Sequence, residues 1–177
     1  MCSSDLEVPL FISILAPALL ANTWSLEGMT VFYTAHPWYW MFNLLGFVIS
    51  LIAMLGKLEK VPFDIAEAET EIVAGTLTEY SGRLLGLFKL ALDIETIVGA
   101  SLLAAVFLPF GFNLGPEAGF ILYILKVLFI IGLMSLSRTI FARLRIDQMM
   151  VLCWKYIAPL AFLQLLLNLF LKGVLLR

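Results

Sequence analysis

Five apolar runs alternate with short polar segments along the 177 residues, at positions 8–22, 38–56, 84–108, 118–137 and 151–171. The last three reach or exceed the ~20 residues that a helix rising 1.5 Å per residue needs to cross hydrocarbon, and 38–56, at about 19, comes close enough to span. The first, with Pro17 inside it, is only about 15 residues and falls short of that length. Pro109 closes the third run, and Pro159 marks a kink in the last. The pattern predicts an all-α, polytopic membrane protein of about five transmembrane helices, the first one short, in a single transmembrane domain over residues 1–177. Residues 23–37 are expected to form a loop. Trp24, Tyr33 and His36 lie there, with Trp38, Tyr39 and Trp40 just beyond, the make-up of an interfacial aromatic belt.

Lys and Arg set the orientation. One polar segment and its edges carry Lys57, Lys60, Arg83 and Lys89; another, residues 138–150, carries Arg138, Arg143 and Arg145, with Lys155 beside it. Segments 23–37 and 110–117 carry none. Both charged segments therefore face the cytoplasm of a multi-pass protein in the inner (plasma) membrane, and only Lys172 and Arg177 run against the rule. Hydrophobic residues make up 62% of the chain and charged residues 14%, far from a soluble composition. No basic stripe with interleaved aromatics points to nucleic acid. Cys2, Cys153 and the single His36 form no metal-ligand spacing, so the chain is expected to hold no cofactor of its own.

The acidic loop 57–83 concentrates the chemistry. Glu59, Asp64, Glu67, Glu69, Glu71 and Glu79 are six of the thirteen acidic residues, placed between two spans. Carboxylates beside a bilayer are costly and are kept for a reason. Pro62 stops the preceding helix, and Asp64 with Glu67 has the spacing of a capping box. A short amphipathic cytoplasmic helix over about residues 65–74 is predicted, ended by Gly75. At ~100° per residue, Asp64, Glu67 and Glu71 share one face, and Glu69 falls inside the apolar face with Ile65, Ile72 and Val73. Capping alone accounts for Asp64 and Glu67; it does not account for Glu69.

The run Glu59, Pro62-Phe63-Asp64, Glu67-Ala68-Glu69, Glu71, Val73-Ala74-Gly75, Glu79-Tyr80-Ser81 closely resembles the acidic loop of one membrane-subunit family of respiratory complex I. That family is the bacterial H subunit, called subunit 1 in mitochondria. The second segment, with Arg138, Arg143, Arg145, Asp147, Gln148, Trp154, Lys155 and Pro159, resembles the same family's connection into its last helix. Related anchors occur in energy-converting membrane-bound nickel–iron hydrogenases. Family members have about eight helices, and this chain matches the later ones, so an N-terminally truncated fragment is expected. Lys60 replaces the usual Arg, and Gly82-Arg83, Lys89 and Asp93-Ile94-Glu95 depart from the quinone-reducing pattern toward the hydrogenase-linked branch.

The resemblance implies a membrane anchor that couples a cytoplasmic redox arm to proton or sodium translocation. Iron–sulfur clusters and nickel–iron or flavin would belong to partner subunits, with quinone as a further candidate. The expected partners are the lipid bilayer, peripheral arm subunits and antiporter-like membrane subunits. Within the membrane, Asp93 lies about 14 Å from Leu84 along its helix, Lys89 is four residues away and able to pair with it, and Glu95 is turned roughly 200° from Asp93. Lys126 stands alone in the next span, able to answer Asp93 or Glu95 across a helix interface. The candidate proton relay is Glu67, Glu69, Glu71, Glu79, Asp93, Glu95 and Lys126, and the candidate docking residues are Arg83, Arg138, Arg143, Arg145 and Asp147. Three rival readings stand beside it: a quinone-site subunit, a free-standing secondary ion transporter, and an anchor whose charges only fix assembly.

Overall fold

The structure, a computed structural model, describes residues 2–58, 60–63, 81–111, 115–142 and 144–175. Its elements are α1 (Cys2–Ala21), α2 (Leu26–Ala35), α3 (Tyr39–Phe42), α4 (Leu44–Lys57), α5 (Arg83–Phe107), α6 (Pro116–Ile140), α7 (Ile146–Val151), a π-helical stretch (Leu152–Ile157) and α8 (Ala158–Leu175). Among the described residues all regular structure is helical, as the apolar runs require. The expected amphipathic helix over 65–74, with its Asp64 cap, lies outside the described residues.

Among the described residues, three helices are long and apolar enough to cross a membrane: Arg83–Phe107, Glu117–Ser137 and Asp147–Val174. A fourth is reached if α1 and α2, bent by 61° at their junction, count as one span. That is fewer than the five expected. The run 38–56 is interrupted at Asn43, which ends α3 and precedes an α4 of only 14 residues. At 1.5 Å per residue α4 is about 21 Å long, short of a hydrocarbon layer of about 30 Å.

The ends of these helices explain the other departures. Segment 23–37 is not a loop: it holds α2. Asn22 takes a positive φ of 56°, Asn22 N–H donates to Leu19 O and Thr23 N–H to Ala18 O, which together close the C-terminus of α1 in a Schellman motif. Ser25 then accepts from Gly28 N–H at 2.9 Å and starts α2. α1 begins earlier than the apolar run, at Cys2, and carries Pro9 as well as Pro17. The polar segment 138–150 is mostly helical, since α6 runs on to Ile140 and α7 starts at Ile146. The kink assigned to Pro159 takes the form of six π-helical residues just before it. Proline lacks an N–H and its ring crowds the carbonyl four residues back, which widens the preceding turn.

Direction alternates through the bundle. α1 starts near the C-terminal end of α4, where Lys57 pairs with Glu7 at 3.8 Å. α4 meets α8 antiparallel, Asn43 against Asn168 and Gly46 against Gln164. α8 ends beside the end of α1, where Lys172 donates to Asn22 Oδ1 at 2.8 Å. That contact gives Lys172, an exception to the orientation rule, a local partner at the cap of α1. α1 is held between α4 and α8, and α5 packs on α6 and α4. Lipid tails are as apolar as leucine, so close packing rather than exclusion of water joins these helices. Four of the seven buried residues of α4 are accordingly small, Gly46, Ser50, Ala53 and Gly56, beside Ile49, Met54 and Leu55. A Cβ on Gly46 would strike the Gln164 amide, and one on Gly99 would strike the Met54 methyl.

A chain of buried polar groups crosses this packing. Asn168 Nδ2 donates to Asn43 Oδ1 at 2.8 Å, Asn43 Nδ2 to Tyr33 Oη at 2.7 Å, and Tyr33 Oη to Pro17 O at 3.0 Å. It links α8, the α3–α4 junction, α2 and α1. Replacing Asn43 and Asn168 by Leu, singly and together, should yield a coupling energy of about 0.6–1.7 kcal/mol in a double-mutant cycle of detergent unfolding. Additive losses would show that the pair does not bond. Gly46→Leu should cost about 1–3 kcal/mol by overpacking. Gly86→Ala, with open space around it, should be neutral or add up to about 1 kcal/mol; equal effects of the two would contradict the close α4–α8 approach.

Candidate functional site

The two charged segments meet at one end of the bundle. Leu144 N–H, in the connection between α6 and α7, donates to Pro62 O at the edge of the acidic loop, at 3.0 Å. Lys60 N–H returns to Leu55 O and Phe63 N–H to Lys60 O, so the chain leaving α4 turns tightly over the end of the helix. Phe63 and Leu58 are buried there, as is Met149 from α7. This anchors the start of the acidic loop against the basic segment. α7 begins with Gln148 Oε1 accepting from Arg145 N–H at 3.3 Å, which leaves the Arg145 and Asp147 side chains exposed. Arg83 opens α5 and is also exposed. Glu67, Glu69, Glu71, Glu79 and Arg143 lie outside the described residues, and Arg138 is described by its backbone alone.

α5 carries the deeper candidates. Asp93 and Lys89 are exposed on its surface and Glu95 is half-buried. Lys89 and Asp93 are not joined by an ion pair; the pair between Glu7 and Lys57 is the one found among the described residues. Their neighbours on α5, including Leu90, Ile94 and Ile97, are exposed apolar side chains. An uncompensated carboxylate and ammonium on such a face are costly against lipid tails.

Lys126 is placed elsewhere. Its Nζ donates to Leu108 O at 2.6 Å and to Phe110 O, beyond the C-terminal end of α5. Leu108 is 15 residues past Asp93, about 22 Å along the helix axis. The structure thus does not bring Lys126 to Asp93 or Glu95. The last carbonyls of a helix have no partner within it, and a cation is favoured at that negative end of the dipole. The indole Nε1 of Trp40 serves Phe107 O in the same way. Trp40 also stacks edge-on with Phe110 at 5.0 Å, while Trp24 and Trp38 stay exposed. His36 sits among Phe32 and Tyr39 rings at 5.2 and 5.7 Å. This aromatic end lies opposite the charged segments.

The buried amides are functional-looking groups that the apolar pattern did not single out. Gln164, Asn168 and Asn43 are 1%, 0% and 2% exposed, and Ser13 and Ser50 are fully covered. Gln164 and Asn168 are four apart in an otherwise apolar span, a signal of a shared inward face that spacing alone could have revealed.

Comparison with known proteins gives the family. The family model described as NADH dehydrogenase matches residues 2–169. The H subunit of NADH-quinone oxidoreductase from Carboxydothermus hydrogenoformans is 33% identical over 172 residues, covering 94% of this chain and 47% of the relative. The protein of the same name from Bacillus thuringiensis is 35% identical over 170 residues, covering 94% and 50%. That from Anaeromyxobacter dehalogenans is 31% identical over 187 residues, covering 88% and 45%. The chain therefore spans about half the length of the curated relatives it matches. The match extends well beyond the two charged loops, into the apolar helices, and this chain belongs to the NADH dehydrogenase family that contains the H subunit of NADH-quinone oxidoreductase.

Proposed function

We propose that this chain is the membrane anchor of a complex I-like, redox-driven ion pump. In this reading, electron transfer in a cytoplasmic arm changes the protonation of Glu67, Glu69, Glu71 and Glu79, and the change passes to Asp93 and Glu95 in α5. Close carboxylates cannot all ionise, so a local change in charge moves a proton between them. Lys126, about 22 Å along α5 from Asp93, enters such a path only through groups lying between them. The observation that carries the reading is the junction of the two charged segments at Leu144 and Pro62. It ties Pro62, at the start of the acidic segment, to the connection that precedes exposed Arg145, in a chain whose family is that of a multi-subunit membrane complex. Arg83, Arg145 and Asp147 are exposed there, and with Arg138 and Arg143 they form the docking surface for the arm. Arginine holds carboxylates in a bidentate fork, suited to a contact of this kind.

The favoured arm is hydrogenase- or ferredoxin-linked, a preference that rests on Gly82-Arg83, Lys89 and Asp93-Ile94-Glu95 at and beyond the start of α5. Iron–sulfur clusters with nickel–iron would then lie in the arm, and antiporter-like subunits would carry the ions. The second reading, in which the chain forms part of a quinone site with a flavin-containing arm, is supported by the names of the relatives. Both place this chain between electron transfer and ion movement.

The combined Glu69→Gln, Glu71→Gln and Glu95→Gln variant, assembled in membrane vesicles, tests the relay. Ion uptake per electron transferred should fall close to zero while the yield of assembled complex matches the parent. Normal pumping would contradict the relay, and lost assembly with normal coupling per complex would favour an anchor whose charges only fix assembly.

A further inference from the structure

A cavity of about 510 Å³ opens at the aromatic end of the bundle, between the start of α2, the end of α5 and the first half of α6. Its walls are mainly apolar, with Ala104, Ala105, Leu108 and Tyr123 among them. Two opposite charges line it as well, Glu27 from α2 and Lys126 from α6. They do not meet: the Glu27 carboxylate has no ion-pair partner among the described residues. Lys126 uses two of its three N–H groups on Leu108 O and Phe110 O, leaving a third donor for a ligand. The volume falls in the range of sites that hold small molecules.

The chemistry of the walls defines the occupant. A free phosphate would satisfy Lys126 and leave the apolar wall uncovered. An anionic lipid would bring a second negative charge toward Glu27. A molecule with a phosphate, a primary ammonium and a hydrocarbon tail satisfies all three features. The depth agrees, because Trp40 and Phe110 stand beside the cavity and exposed Trp24 and Trp38 mark the same end of the bundle. Such rings favour the level of the lipid headgroups. We propose that this cavity binds a phospholipid of the phosphatidylethanolamine class. Its phosphate lies on Lys126, its ammonium on Glu27, and one acyl chain runs along Ala104, Ala105 and Tyr123. The site rests on the membrane-spanning reading alone and is independent of the redox proposal, at the opposite end of the bundle.

The test uses the protein as it comes from native membranes, purified in mild detergent, stripped of lipid and exposed to vesicles of phosphatidylethanolamine, phosphatidylglycerol or phosphatidylcholine. Bound lipid is then counted by native mass spectrometry. The parent should retain phosphatidylethanolamine in preference to both others, since choline lacks N–H donors and phosphatidylglycerol lacks the cation. Glu27→Gln should lower phosphatidylethanolamine occupancy by about tenfold, the scale of one charge-assisted hydrogen bond. Ala105→Phe, which fills the chamber, should abolish it. Lys126 is left intact, because its loss would also uncap α5. Undiminished phosphatidylethanolamine binding in either variant would overturn the proposal, as would a parent that prefers phosphatidylglycerol.

Discussion

Asn43 is the residue on which four parts of this bundle depend. In a low-dielectric interior a polar side chain without a partner is costly, and Asn43 is almost wholly buried. Its amide gives to Tyr33 and receives from Asn168, while Tyr33 donates its own proton to Pro17 O. The group thus breaks the run 38–56 into α3 and α4 and ties that break to α1, α2 and α8. Small residues along α4 then let α1 and α8 approach on either side. Helix ends follow the same rule. Trp40 satisfies the last carbonyl of α5, that of Phe107, and Lys126 satisfies those of Leu108 and Phe110 just beyond it, which ties α6 to the end of α5.

The parts of the fold legible in the sequence were those set by length and apolarity. The runs 84–108 and 118–137 emerge as α5 and α6 within three residues at either end. The failures came where a single polar group redirected the chain. Ser25 caps a helix inside what reads as a loop, and Asn43 interrupts what reads as a continuous span. Neither changes the hydropathy enough to be visible in it. Pro159 was legible as a disturbance, but hydropathy does not show that it is absorbed by π-helical turns over Leu152–Ile157.

The candidate site was legible to a different degree. The acidic loop carries its meaning in residue order, and the family match agrees with what that order resembles. The placement of Lys126 was not readable. A lysine ten residues into a span reads as a mid-membrane charge, yet its long stem carries the ammonium back to the end of α5. The bundle is therefore polarised. One end holds Lys57, Arg83, Arg145 and the connection between Leu144 and Pro62; the other gathers the aromatic rings, the cap of α1 and the cavity between Glu27 and Lys126. The proposed contact with a redox arm belongs to the first end, and the proposed lipid site to the second.

The most direct measurement is affinity purification of the protein from native membranes, with mass spectrometry of what accompanies it. The account predicts co-purification of a peripheral redox arm together with antiporter-like membrane subunits. A nickel–iron hydrogenase-like large subunit would establish the favoured branch, and NADH-oxidising subunits the other. A protein that came away alone and still carried ions across liposomes would contradict the account.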